Sequence, residues 1–366
     1  MLKSRISNSY AMIRDQVKKY IVATKTNHKK FYFISFCLRK IYDKEFIELI
    51  LNRDNIICLN NFGNQNKDIN IYFIDIKSSG MGIGAYFRWA THILYEADVL
   101  KFVPVIRFGE GCPYKEEGVF LKTENPFEYY FLQSSTLNIN DVYKSNNVFT
   151  FTCWSLVRID KALGLIKNKD DMPVGYQNIT ETYLKTLGLI VRKYMRLNAV
   201  TNRYIYDSVK NIFPENWQQK KILAVHVRGT DFALHWDQHP NIVLAEDYFN
   251  VIDKAIIENG FEYIFLATDD SRKLELFIKR YNDKLIYFKD VHRSDGIVNV
   301  TFEKNDREHN NYLNGLECLR DIYTMSYCNG LVAGLSQVSV CARIVNRSLD
   351  KKFEFEKIID NGIYRS

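Results

Sequence analysis

Between residues 220 and 346 the chain alternates short apolar runs with amphipathic stretches, and that alternation leaves few folds open to it. KKILAVHVRG (220–229), YIFLATDD (263–270) and KLIYF (284–288) are apolar runs of strand length. AEDYFNVIDKAIIENG (245–260), SRKLELFIKRY (271–281) and LECLRDIYTMSYCNG (316–330) carry apolar residues at helical spacing. The first helix ends at Gly260, the second takes Ser271 as N-cap, and the third stops at Asn329 and Gly330. LVAGLSQVSVCARIVN (331–346) reads as strand, loop and helix, the helix starting near Val338 or Ser339. Strands that alternate with helices pair in parallel and are covered by helices on both faces. A second such run occupies 70–108: a β-rich segment, a Gly-rich turn, a helix with Trp89, Ile93 and Ala97 on one side, and a further strand. Residues 1–60 read as helical, and 178–213 as one or two helices ending at Phe213 and Pro214. The expectation is an α/β protein of two Rossmann-like domains facing a cleft. An N-terminal α/β domain with helical additions would span 1–215 and a C-terminal nucleotide-binding domain 216–366, a division that 366 residues can support.

Charge and cysteine usage narrow the class. Lys and Arg number 50 against 43 Asp and Glu, a formal +7 that is dispersed except around Lys18, Lys19, Lys25, His28, Lys29 and Lys30. Nucleic-acid binders show a stronger, more clustered excess, so none is expected as a partner. A mild excess suits a pocket for a phosphorylated ligand, and the basic N-terminus suits peripheral contact with an anionic membrane surface. The seven Cys are scattered and without a Cys-x-x-Cys pair, which argues against a disulfide framework and a Cys-rich zinc site. A reducing compartment fits best. The chain starts without an apolar stretch, and its longest early apolar run, FYFISFCL (31–38), is far short of the ~20 residues that span a bilayer. The expected place is the cytoplasm, peripheral to the inner face of a membrane.

The unusual polar residues cluster at strand ends, where open α/β sheets bind ligands. In AVHVRGTDF (224–232), His226 and Arg228 share one face of a strand, and Gly229, Thr230 and Asp231 turn the chain. An Arg there can grip a diphosphate through paired hydrogen bonds; the structural alternative is an ion pair between Arg228 and Asp231. Asp269 and Asp270 follow the next strand and would accept from sugar hydroxyls, hold a metal, or cap the helix after them. Ser336 and Gln337 precede a helix whose first amides, with the Ser hydroxyl, make a phosphate site. SGMGIGA (79–85) reads G-x-G-x-G, one position off the dinucleotide fingerprint, and serves close backbone approach to a ligand. In LHWDQHP (234–240), Pro240 prevents His235 and His239 from sharing a helical face around Asp237. That loop reads as a source of a general base or of acceptor contacts, not as a metal site.

Taken in order, GMGIGAYFRWA, VHVRGTDF with a following HP, FLATDD and DIYTMSYCNGLVAGLSQ resemble the inverting fucosyltransferases that use GDP-fucose. The resemblance is to the core α-1,6-fucosyltransferases of animals and the nodulation fucosyltransferases of rhizobia, and covers 79–98 and 220–345. It implies a metal-independent GT-B fold with no cofactor beyond GDP-fucose as donor substrate. Arg228 would bind the β-phosphate, Ser336 and Gln337 would assist at the phosphates, and His226 would lie against the nucleoside. Asp321 would accept from guanine N1–H and N2–H₂. Gly82 and Gly84 would line the donor cleft from the other domain, with Asp231, Asp269 and Asp270 also on the donor side. Two positions depart from the family: Gly229 stands where a second Arg is usual, and no Glu lies between 231 and 240 to act as base. Asp237 or His235 is the nearest substitute. The implied function is inverting transfer of fucose from GDP-fucose to a glycan hydroxyl, in bacterial-type cell-surface glycan synthesis. The alternatives are a transferase of the same fold using another nucleotide sugar, an NAD-linked Rossmann oxidoreductase, and a non-catalytic glycan- or nucleic-acid-binding module.

Overall fold

The computed structural model describes residues 57–78, 80–151, 175–229, 238–295, 299–303 and 305–365. In chain order these form β1 (Ile57–Asn60), β2 (Ile71–Ile76), α1 (Ile83–Leu100), β3 (Val103–Phe108), α2 (Pro126–Tyr130), α3 (Ile139–Val142) and β4 (Val148–Phe151). There follow α4 (Glu181–Tyr194), α5 (Ala199–Ile212), β5 (Ile222–Val227), α6 (Ala245–Asn259), β6 (Tyr263–Thr268) and α7 (Ser271–Tyr281). The chain ends with β7 (Leu285–Ile286), α8 (Asn310–Tyr327), β8 (Gly330–Gly334), α9 (Gln337–Ser348) and β9 (Phe355–Ile359). Residues 57–60, expected within a helical N-terminal stretch, are strand. By its contacts the chain divides into two compact units, 1–75 with 93–106 and 135–172, and 76–92 with 107–134 and 173–366.

The first unit is built on a sheet of order β1-β4-β2-β3, with β1 antiparallel and β2 parallel to β4. Its core is Ile71, Phe73, Val105, Val142 and Val148. The second unit carries a sheet of order β7-β6-β5-β8-β9, and each of its strand pairs is parallel. The six residues of β5 are all buried, as a central strand covered on both faces requires, so a continuous apolar run and not an alternating one specifies it. Leu223, Val225 and Val227 meet Tyr248 and Ile252 of α6, Phe277 of α7 and Val332 of β8 in one cluster.

Local signals place most helix ends. Gly260 closes α6 at φ +70, a conformation that glycine adopts without penalty. The 178–213 stretch is two helices, because Asn198 caps α5 by accepting from the Thr201 amide at 2.9 Å. Three starts differ from the sequence reading. Asp270, not Ser271, caps α7, accepting from the amides of Arg272 and Lys273 at 2.9 and 3.3 Å. Ser336 caps α9 through the Ser339 amide at 3.0 Å, one or two residues earlier than expected. Helix α8 begins at Asn310, well over a full turn ahead of Leu316.

Candidate functional site

From β5 the chain proceeds outward through β6 to β7, then crosses back to lay β8 on the other side of β5. The order therefore reverses between β5 and β8, and crossovers leaving in opposite directions open a crevice beyond those strand ends. The second unit has a cavity of about 330 Å³ there. Its lining includes Gly82, Gly84, His226, Arg228, Asp269, Asp321, Ser336 and Gln337, all within that unit. Eight of the residues singled out in the sequence are thus brought together. Asp270 stands behind the wall, 1% exposed and engaged as the α7 cap. Asp231, His235 and Asp237 lie outside the described residues.

Arg228 leaves the end of β5 and its guanidinium pairs with the carboxylate of Asp269, at the end of the neighbouring β6. Asp269 also accepts from the Gly229 amide at 2.9 Å, so one carboxylate holds both the side chain and the turn beside it. Gly229 is required sterically: a Cβ there would fall within the Asp270 side chain. His226 is buried, and the loss of water pushes its imidazole down to about 4, outweighing the opposing pull of Asp269. It is a neutral ring at physiological pH, sharing a 3.2 Å hydrogen bond between Nδ1 and the Ser336 hydroxyl. Gln337 and Val338, in the first turn of α9, reach the cavity, where backbone amides lack intrahelical partners. Gln337 is fixed by a 3.0 Å hydrogen bond from Arg88. Gly84 lets α1 approach this turn, since a Cβ would stand 3.1 Å from the Val338 nitrogen.

The opposite wall is one face of α8. Asn314, Glu317, Cys318 and Asp321 recur at the spacing that stacks side chains along a helix. Glu317 is held by Arg307, which donates at 2.6 Å to one oxygen and 3.3 Å to the other; its burial still raises its pKa. Asp321 differs. Among the described residues no hydrogen bond or ion pair reaches its carboxylate, and desolvation pushes it up to about 7 against the pull of Arg320 and Arg293. Asn314, Glu317 and Cys318 were not identified from the sequence, although polar residues three and four apart on a helix otherwise buried all round were a usable signal. Tyr114 was missed as well: its hydroxyl accepts from the Ile83 amide at 2.7 Å and so fixes the start of α1. No group of three or more His, Cys, Asp or Glu among the described residues is placed to hold a metal ion. No helix among them is long and apolar enough to cross a membrane.

No protein family and no curated protein matches the chain. Among solved structures it is similar to the NodZ alpha-1,6-fucosyltransferase soaked with GDP-fucose, at 15% identity and a TM-score of 0.44, over 76% of this chain and 93% of that one. It is similar to the fucosyltransferase NodZ from Bradyrhizobium at 13% identity and a TM-score of 0.43, over 76% and 92% of the two chains. It is also similar to POFUT1 in complex with GDP-fucose, at 12% identity and a TM-score of 0.42, over 80% of this chain and 98% of that one.

Proposed function

We propose that this chain is a GDP-fucose-dependent, inverting glycosyltransferase of GT-B type, acting on a glycan hydroxyl in cell-surface glycan synthesis. The observation that carries the reading is the composition of one cavity wall: Asp321, half-buried and without a hydrogen bond or ion pair among the described residues, lines the same cavity as Arg228 and the start of α9. A desolvated acceptor of this kind is costly unless a ligand supplies donors. Guanine offers two adjacent N–H groups on one edge, which match the two oxygens of a carboxylate. Arg228 and the first-turn amides of α9 supply the complementary half, positive charge and N–H donors for a diphosphate.

In this reading the nucleotide belongs to the 216–366 domain and the acceptor to the 1–215 domain, on the cytoplasmic side of a membrane that the basic N-terminus touches. An acceptor hydroxyl attacks the anomeric carbon as GDP departs from the opposite face. Arg228 and the α9 N-terminus stabilise the charge that develops on the β-phosphate, and no metal is needed. Asp237 or His235 takes the acceptor proton, and holding donor and acceptor together supplies a further large share of the barrier lowering.

A thermal-shift panel of GDP, UDP, ADP, CDP and NADH, with and without EDTA, tests this. At 100 times its dissociation constant a ligand adds about 2.7 kcal/mol to the folded state, a shift of several degrees. A GDP-selective shift that EDTA leaves unchanged is expected. Selectivity for UDP would remove the fucose donor, a response to NADH would favour the oxidoreductase, and no response would remove the nucleotide.

A further inference from the structure

Lys273 lies behind the cavity, and the reaction above makes no use of it. It stands in the first turn of α7, yet its Nζ donates to two carbonyls far apart in the chain, Arg228 at 3.0 Å and Val243 at 3.2 Å. The first is where the chain leaves β5; the second is just ahead of α6, where it returns. One ammonium thus ties both ends of the segment that begins at Arg228. The residues just ahead of α7 hold Arg228 and its neighbour as well. Asp269 holds the Arg228 guanidinium and the Gly229 amide, and Asp270 fills the space that a Cβ on Gly229 would need. Main chain and side chain of Arg228 are therefore pinned from one short run, Asp269 to Lys273.

We propose that Lys273 is a positioning residue, whose ammonium fixes the backbone at Arg228 and Val243 so that the Arg228 guanidinium meets the donor diphosphate in one place. This rests on the reading that the cavity binds a nucleoside diphosphate. A preformed charged donor binds more tightly than one that must be ordered on binding. Burial lowers the pKa of Lys273; Asp270 and Asp269 oppose the shift, and Arg272 and Arg228 add to it. Since the folded pKa is depressed, the charged tether is lost on the alkaline side sooner than for an ordinary lysine, and diphosphate affinity falls with it.

The test uses the full chain with K273M, which keeps the aliphatic stem, and K273R, which stays charged at every accessible pH. GDP affinity is measured by calorimetry from about pH 7.5 to about pH 10.5, and exchange of the Gly229 amide by hydrogen–deuterium methods. K273M is expected to weaken GDP binding about tenfold and to speed Gly229 exchange, while exchange in β8 and β9 stays unchanged. K273R is expected to bind as the wild type does and to lack the alkaline loss. A K273M protein that binds GDP like the wild type overturns the proposal, whatever its exchange. If K273M does not fold, an alkaline loss identical in wild type and K273R overturns it instead. If no nucleoside diphosphate binds the wild type, the nucleotide reading fails, and Gly229 exchange alone decides the tether: faster exchange in K273M keeps it, unchanged exchange ends it.

Discussion

A carboxylate with no partner among the described residues is informative because its state depends on what enters the cavity. Asp321 is near the middle of its titration at pH 7, having been pushed up to about 7 by desolvation. A guanine edge requires the ionised form, so GDP affinity should fall about tenfold for each pH unit below 7 and level off above it. His226 titrates near 4 and contributes nothing to that limb. In Asp321→Asn, GDP binding should be weak and flat with pH; calorimetry at pH 6, 7 and 8 separates the outcomes, and a limb surviving in the Asn variant would assign it elsewhere. Arg228→Ala should weaken GDP about 10- to 100-fold, as expected for losing a charge-assisted hydrogen bond, and leave guanosine nearly unaffected. Equal losses for both ligands would place Arg228 away from the phosphates. At this scale the sequence was legible where side chain and strand end coincide, as at His226 and Arg228. The pairing of Arg228 with Asp269 was not, because two strands had to become neighbours first.

Between elements, the glycines of the site act by omission. Gly84 brings the first turn of α1 against backbone atoms of α9, which cannot swing aside as a side-chain tip would. Gly229 gives way to the Asp270 side chain, which is itself fixed as the α7 cap. Gly229→Ala should therefore destabilise by about 1–3 kcal/mol, the usual penalty of overpacking, and disturb Arg228 with it. Gly175→Ala, where no atom of the described residues lies within 4 Å of the added carbon, is the control. Denaturant midpoints measure both, and equal midpoints would refute the steric argument. The capping detail shows why helix starts were harder to read than helices. Asp269, Asp270 and Ser271 can each cap by composition. Which one does is set by where β6 ends, and β6 runs to Thr268 because Val227 of β5 pairs it there.

For the whole molecule, Asp321 links folding to pH. Its folded pKa is raised from 3.8, so the folded chain retains a proton that the unfolded chain has released between about 4 and about 7. Stability from this group is complete below about pH 4 and is lost as pH rises through about 7. Asp321→Asn should accordingly raise the melting temperature of the unliganded protein at pH 8 and leave it unchanged near pH 4. No difference at pH 8 would mean that the carboxylate is solvated. A site that costs stability when empty and recovers it with ligand is what a binding function demands.

The residues alone determined that the chain is layered α/β, that its strands between 220 and 346 pair in parallel, and that its polar residues stand at strand ends. Those properties follow from periods of two and 3.6 residues and from the handedness of strand–helix–strand crossovers, which are local. Only the tertiary structure decided that β8 lies beside β5, so that Ser336 meets His226 across 110 positions of sequence. It also decided that one face of α8 lines the same cavity with Asp321, whose carboxyl burial pushes up to about 7. A strand's periodicity says which side chains share a face but not which strand lies next to it; that choice is made by burying all the faces at once.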